Sequence, residues 1–193
     1  VNMLSWMLGI AAFLLFFVYD VNSVTLRAPL LHTGFFLGVL LLLASTGLDL
    51  LHAWRKGDLG GGVDGLLFCA ALACLAALLY TLFFALPFEA TYQAQDLGRL
   101  VYDRGVYALC RHPGVLFFFG LYLFLGLAAL PSGLLIRGMV FSGLNLLYVV
   151  FQDRVTFPRT FCDYGSYRTR VPFLIPTGRS VRQAIRTWDK KAL

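Results

Sequence analysis

Long apolar stretches separated by short polar ones dominate this chain. Five runs stand out, covering residues 3–19, 29–46, 63–88, 115–130 and 134–151. A membrane-crossing helix needs about 20 predominantly apolar residues, with a range of about 17–25, so each run reads as a span. The third is long enough to tilt or protrude. The fourth is short, and needs Pro113 and Gly114 or the following turn to complete it. The first lacks the basic leader and small-x-small cleavage site of a signal peptide, and is read as a span. The pattern predicts an all-α, polytopic membrane protein with five transmembrane helices. It forms one domain over residues 1–193, with residues 152–193 as a C-terminal segment.

The polar interruptions organise these spans. Only Pro131-Ser132-Gly133 separates the last two runs, so they form an antiparallel hairpin whose far ends, near Arg111 and Asp153, emerge together. Gly34 and Gly38 make a GxxxG step, and Gly138 with Ser142 a small-xxx-small step, which favour close helix packing. Gly60-Gly61-Gly62 reads as a flexible loop. After Pro176, Ser180 with Gln183 suggests a capping box, and Val181, Ile185 and Trp188 recur at helical spacing. Arg182, Arg186 and Lys190 fall mostly on the other face, as in an interfacial helix lying on a leaflet; a frayed basic tail is the alternative.

Composition sharpens this picture. The chain is 59% hydrophobic and 13% charged, against about 45–50% and about 25% in soluble domains. That disfavours a soluble enzyme, a nucleic-acid module and a disulfide scaffold. Nine of the 16 Lys+Arg follow position 151; with Arg27, Arg99, Arg104 and Arg111 they place thirteen on one side, against Arg55, Lys56 and Arg137. By the positive-inside rule the C-terminus is cytoplasmic and the N-terminus outside. The basic tail is expected to meet anionic lipid rather than nucleic acid. Cys69, Cys74, Cys110 and Cys162 form no CxxC pair, so no metal site is expected.

Two polar segments meet at the expected hairpin mouth. One runs Gly105-Val106-Tyr107-Ala108-Leu109-Cys110-Arg111-His112-Pro113. The other begins at Gln152-Asp153-Arg154 and continues through Tyr164, Tyr167, Val171 and Pro172 to Pro176. Arg111 and His112 precede a helix start, where outward N–H groups also favour a carboxylate or phosphate. Asp153 faces them as an acceptor for an amine. Such a pairing suits a zwitterionic, amino-acid-like ligand. The plainer reading makes Arg111 an anchor, Asp153 its salt-bridge partner and His112 a cap. His32 with His112 keeps a haem alternative open.

Gly-x-Tyr-x-x-x-Arg-His-Pro before the penultimate span resembles the isoprenylcysteine carboxyl methyltransferase family and its phospholipid and thiol methyltransferase relatives. The ending from Gln152 to Pro176, with Tyr-x-x-Tyr and then Val-Pro, is similar too. Together the resemblance covers about the C-terminal 80 residues, and five spans suit small prokaryotic members. The family's Tyr and Gly after Arg-His-Pro are here Val115 and Phe117, and its Glu-Glu pair is Gln152-Asp153. The resemblance implies methyl transfer from S-adenosylmethionine to a lipophilic or membrane-embedded acceptor (a carboxylate, amine or thiol). It implies cofactor contacts from Tyr107, Arg111, His112, Pro113, Gln152, Asp153, Tyr164, Tyr167 and Pro172, with Arg111 and Asp153 catalytic. The brevity of the chain suggests a bacterial inner membrane. A reductase using NADPH on an isoprenoid or sterol, and a non-catalytic protein retaining the fold, are the alternatives.

Overall fold

A computed structural model describes residues 3–59, 62–85 and 99–188. Helix α1 spans Met3–Val24. A 3-10 turn at Pro29–Thr33 leads into α2, Gly34–Lys56. Helix α3, Gly62–Leu79, continues as a π-helical turn over Tyr80–Phe84. After the short α4, Val106–Leu109, come α5, Pro113–Ala128, and α6, Leu134–Phe151. A π-helical turn at Gln152–Thr156 extends α6 into α7, Phe157–Thr160. The chain then forms α8, Tyr164–Arg170, and α9, Gly178–Thr187. Among the described residues the only extended pairing is an isolated parallel bridge between Arg99 and Phe161.

The architecture is all-helical. Four helical stretches are long and apolar enough to cross a membrane: Met3–Val24, Pro29–Lys56, Val63–Phe84 and Leu134–Thr160. Pro113–Ala128 is a shorter apolar helix, about 24 Å long at 1.5 Å per residue. It starts at Pro113, where a missing N–H costs nothing because first-turn donors have no helical partner. Leu130–Ser132 and Gly133, at φ 79°, then turn the chain into α6.

Helix α1 packs on α2, α3 on α5, and α5 on α6. Phe13, Phe16, Phe118, Tyr122 and Phe141 form the largest buried aromatic core. The GxxxG step serves the first of these contacts. A Cβ on Gly38 would lie 2.6 Å from Phe16 Cε1 and 3.0 Å from the Ala12 carbonyl. In the hairpin, a Cβ on Gly126 would meet Leu135 Cα at 2.5 Å. Small residues thus set how near these backbones come.

Pro113 and Gly114 complete the short fourth run, as its length required. Two other sequence expectations change. The first two helices outrun their apolar stretches, continuing past Tyr19 and Thr46, because Asp20 and Asp49 find buried polar partners and need not end a span. Helix α9 starts earlier than expected: Thr177 is the cap and Ser180 the third helical residue, each side chain bonding the other's backbone N–H. Thr177 has the extended conformation that a cap requires. Positions 86–88 of the third run, Gly60, Gly61, Lys190 and Lys191 lie outside the described residues.

Candidate functional site at the hairpin mouth

The antiparallel hairpin brings Arg111 and Asp153 together. Arg111 Nη1 lies 3.0 Å from Asp153 Oδ1 and donates to Oδ2 at 3.3 Å. His112 Nε2 is 3.3 Å from the same carboxylate, and the Tyr164 hydroxyl donates to it at 2.6 Å. Arg168 approaches at 3.6 Å from a half-exposed position. Asp153 is thus the hub of the mouth, engaged by four donors. The opening of the helix into a π-turn at Asp153 has a covalent cause. Pro158 has no N–H to give the Arg154 carbonyl, and Phe157 N–H instead reaches back five residues to Gln152.

The C-terminal segment lies against the Arg-His-Pro step through its backbone. Arg111 N–H donates to the Pro172 carbonyl at 2.9 Å, and His112 N–H to that of Phe173 at 3.3 Å. Phe173 also walls the charges: its ring centroid is 5.5 Å from the Arg111 guanidinium carbon and 5.1 Å from the His112 ring. Phe157 stacks on His112 with centroids 5.7 Å apart and planes 10° from parallel. His112 occupies the position before α5 but makes no capping hydrogen bond with its side chain. Pro113 is buried at the first helical position.

The two tyrosines of α8 do different work. Tyr164 holds Asp153, while the Tyr167 hydroxyl donates to the Tyr107 carbonyl at 2.7 Å. The Tyr107 hydroxyl in turn donates to the Thr81 carbonyl at 2.7 Å. Burial pushes the hydroxyl pKa of Tyr107, Tyr164 and Tyr167 upward, and the Asp153 charge adds to this at Tyr164. All three therefore act as neutral donors at physiological pH. Burial also pushes the Cys110 thiol up to about 11, so it is no ready nucleophile.

Gln152 stands apart from this cluster. Its amide donates to the Tyr148 hydroxyl at 3.0 Å, and both side chains bond Asp20 of α1. Consecutive helical residues point about 100° apart, so Gln152 and Asp153 serve different neighbours. The sequence grouped Gln152 with Asp153, whereas its side chain bonds Tyr148 and Asp20. The arrangement also modifies the role expected of Asp153: its carboxylate already meets Arg111, His112, Tyr164 and Arg168, and an amine would have to displace one of these four. Arg111 keeps one unused donor, since its buried Nε has no hydrogen-bond partner.

Sequence reasoning missed Phe157 and Phe173, the aromatic walls, which resemble any other apolar residue in a linear reading. It also missed two buried polar clusters. One is Asp20–Tyr148–Gln152. The other pairs Arg137 Nε with Asp49 Oδ2 at 2.7 Å, near the hairpin turn. Ionisable residues inside a span are rare unless partnered, and that rule was the available signal for both. It also takes Arg137 out of the list of free interfacial cations.

Fold and composition together define the class: an all-helical bundle with the apolar helices of a multi-pass membrane protein. No protein-family model matches the chain, and neither curated proteins nor solved structures provide a match.

Proposed function

We propose that this chain is an S-adenosylmethionine-dependent methyltransferase acting on a lipophilic or membrane-embedded acceptor, similar to the isoprenylcysteine carboxyl methyltransferase family. One observation carries the reading. The Tyr107–Pro113 and Tyr164–Pro172 segments, distant in sequence, meet around Asp153 in a buried, aromatic-walled cluster. The residues fit the methionine end of the cofactor: the unpartnered Arg111 Nε–H is a donor for its carboxylate, with His112 beside it. Arg168 is the loosest of Asp153's partners, and its withdrawal would free an acceptor for the ammonium. The sulfonium supplies an activated methyl group, so holding acceptor and donor in line provides most of the acceleration.

In this reading the mouth faces the cytoplasm and the N-terminus lies outside, because thirteen Lys and Arg fall on the mouth side. A bacterial inner membrane suits the small prokaryotic members that the chain resembles. Cysteines introduced at Gly57 and Arg182 are expected to label from opposite sides of the membrane; labelling from one side alone overturns the topology.

Calorimetry with S-adenosylhomocysteine tests the function directly. A ligand that binds only the native state must raise apparent stability. Binding heat and a raised melting temperature are expected; silence at millimolar ligand rejects the proposal. The second reading, a non-catalytic bundle, draws on the same hub. An Asp153 carboxylate already met by Arg111, His112 and Tyr164 also makes a sufficient latch for the hairpin. Stabilisation by NADPH instead would point to the reductase alternative.

A further inference from the structure

Helix α9 carries three distinct surfaces. At about 100° per residue, Ser180, Ala184 and Thr187 share one arc, Val181, Ile185 and Trp188 the next, and Arg179, Arg182 and Arg186 the third. The first arc is docked, with Ser180 and Ala184 buried where α9 packs against α4. The second is open, with Ile185 70% and Trp188 55% exposed. The third is exposed as well, and the helix contains no acidic residue. A helix that needed only to pack against protein would have no use for the second arc. One that needed only solubility would not place it beside three arginines.

The position of the apolar arc identifies its counterpart. Trp188 stacks on Tyr80 with centroids 6.3 Å apart and planes 20° from parallel. Tyr80 opens the last turn of the third membrane-crossing stretch, where Leu82, Phe83 and Phe84 are exposed. The open stripe of α9 thus joins the lipid-facing surface at the end of a span. Tryptophan and tyrosine favour that interfacial level, and arginine stems reach from it to headgroups. The docked arc adds a mechanical link. Thr187 Oγ1 accepts the Gly105 N–H at 3.0 Å. Gly105 sits at φ 54°, ψ −128°, a conformation that disfavours side chains, and it starts the turn bearing Tyr107.

We propose that α9 is an anionic-lipid-binding arm that seats on the bilayer surface and, through Thr187, holds the Gly105–Leu109 turn in place. The apolar arc enters the headgroup boundary while Arg179, Arg182 and Arg186 bind phospholipid phosphates. Seating then favours the Thr187–Gly105 bond, and through it the Tyr107 carbonyl that receives the Tyr167 hydroxyl. The lipid contact stands independently of the chemistry at the mouth; only its effect on cofactor affinity rests on the methyltransferase reading.

The test uses the full chain with Trp6→Phe and Trp54→Phe, leaving Trp188 as the only tryptophan, in bilayers containing brominated acyl chains. Phosphatidylcholine alone is compared with a phosphatidylcholine–phosphatidylglycerol mixture. Quenching of Trp188 is expected to be severalfold stronger in the mixture. Arg179→Gln, Arg182→Gln and Arg186→Gln together are expected to abolish the difference. Equal quenching in the two bilayers, or a difference that survives the triple substitution, overturns the lipid-binding arm. Hydrogen exchange at the Gly105 amide tests the link: anionic lipid slows it, and Thr187→Val removes the slowing without altering Trp188 quenching. Exchange indifferent to lipid overturns the link. S-adenosylhomocysteine affinity is measured alongside. Slower exchange with no cofactor binding in either bilayer would support the arm and reject the methyltransferase reading.

Discussion

Among the described residues two arginine–aspartate pairs lie largely out of solvent, one at each end of the α5–α6 hairpin, and they are built differently. Near the turn, Arg137 and Asp49 are 2% and 1% exposed and joined at 2.7 Å; Arg137 adds one bond to the Ser132 carbonyl. At the mouth, Arg111 and Asp153 are 10% and 6% exposed, and the carboxylate is shared with His112, Tyr164 and Arg168. The first pair ties α2 to α6 with charge and little else. The second collects four donors from two separate segments and leaves a buried Arg111 N–H unused. Burial of an ion pair therefore does not identify a site. Convergence of many donors with one bond left to make is the more informative feature.

The largest expected effect separates the two pairs by stability. Arg137→Leu strands the Asp49 charge and should cost about 3–5 kcal/mol, whereas Arg137→Leu with Asp49→Leu should recover most of that loss. Unfolding measured in detergent checks the cycle. S-adenosylhomocysteine affinity should be unchanged in the double variant. A large affinity loss there would remove the distinction between lock and site.

At the mouth the same logic predicts loss of binding. Asp153→Asn and His112→Ala should each weaken S-adenosylhomocysteine binding by about 1–3 kcal/mol, the range for a charge-assisted hydrogen bond. Asp153→Asn should also lower the melting temperature, because Arg111 loses its counter-charge. A fall in stability with unaltered affinity in both variants would reduce the mouth to a latch like the Arg137 pair.

These contrasts also show what a linear reading can recover. The five helices, the hairpin and the meeting of Arg111 with Asp153 follow from apolar run length and one tight turn, both local in sequence. The extents of α1 and α2 do not. Asp20 and Asp49 look like span ends until Tyr148, Gln152 and Arg137 are seen to meet them from another helix. Gln152 stands apart from Asp153 for a rotational reason: sharing a segment does not mean sharing a face. The α9 cap failed because Thr177 lies outside the helical pattern, and only its extended backbone distinguishes it. Phe173 became visible only when its carbonyl and ring were placed beside His112.

Alkaline pH should further separate the ends, because Cys110, Tyr107, Tyr164 and Tyr167 all lie around the mouth. Their folded pKa values are raised, so the unfolded chain ionises first and binds fewer protons above about pH 9. Stability must then fall as pH rises. For Cys110, raised from 9.0 to about 11, the loss by pH 10 is about 1.4 kcal/mol. Unfolding free energy followed from pH 8 to pH 10 should decline less steeply in Cys110→Ala than in the parent. Parallel slopes would mean that the thiol titrates normally.

The smallest effect addresses whether Gln152 belongs to the mouth. Gln152→Met keeps the length of the side chain and removes its bonds to Tyr148 and Asp20, leaving the Asp153 hub untouched. The lost hydrogen bonds predict about 1–2 kcal/mol of destabilisation. Because Gln152 points toward Asp20 of α1, S-adenosylhomocysteine affinity should match that of the parent, in contrast to the adjacent Asp153→Asn. The two variants differ by one residue in sequence and by about 100° in direction, so their comparison tests the geometry rather than the composition of the segment. Equal losses of affinity in both would mean that the helix rotates or unwinds when ligand binds. Gln152 would then rejoin the site, and the boundary between the mouth and the Asp20 cluster would have to be redrawn.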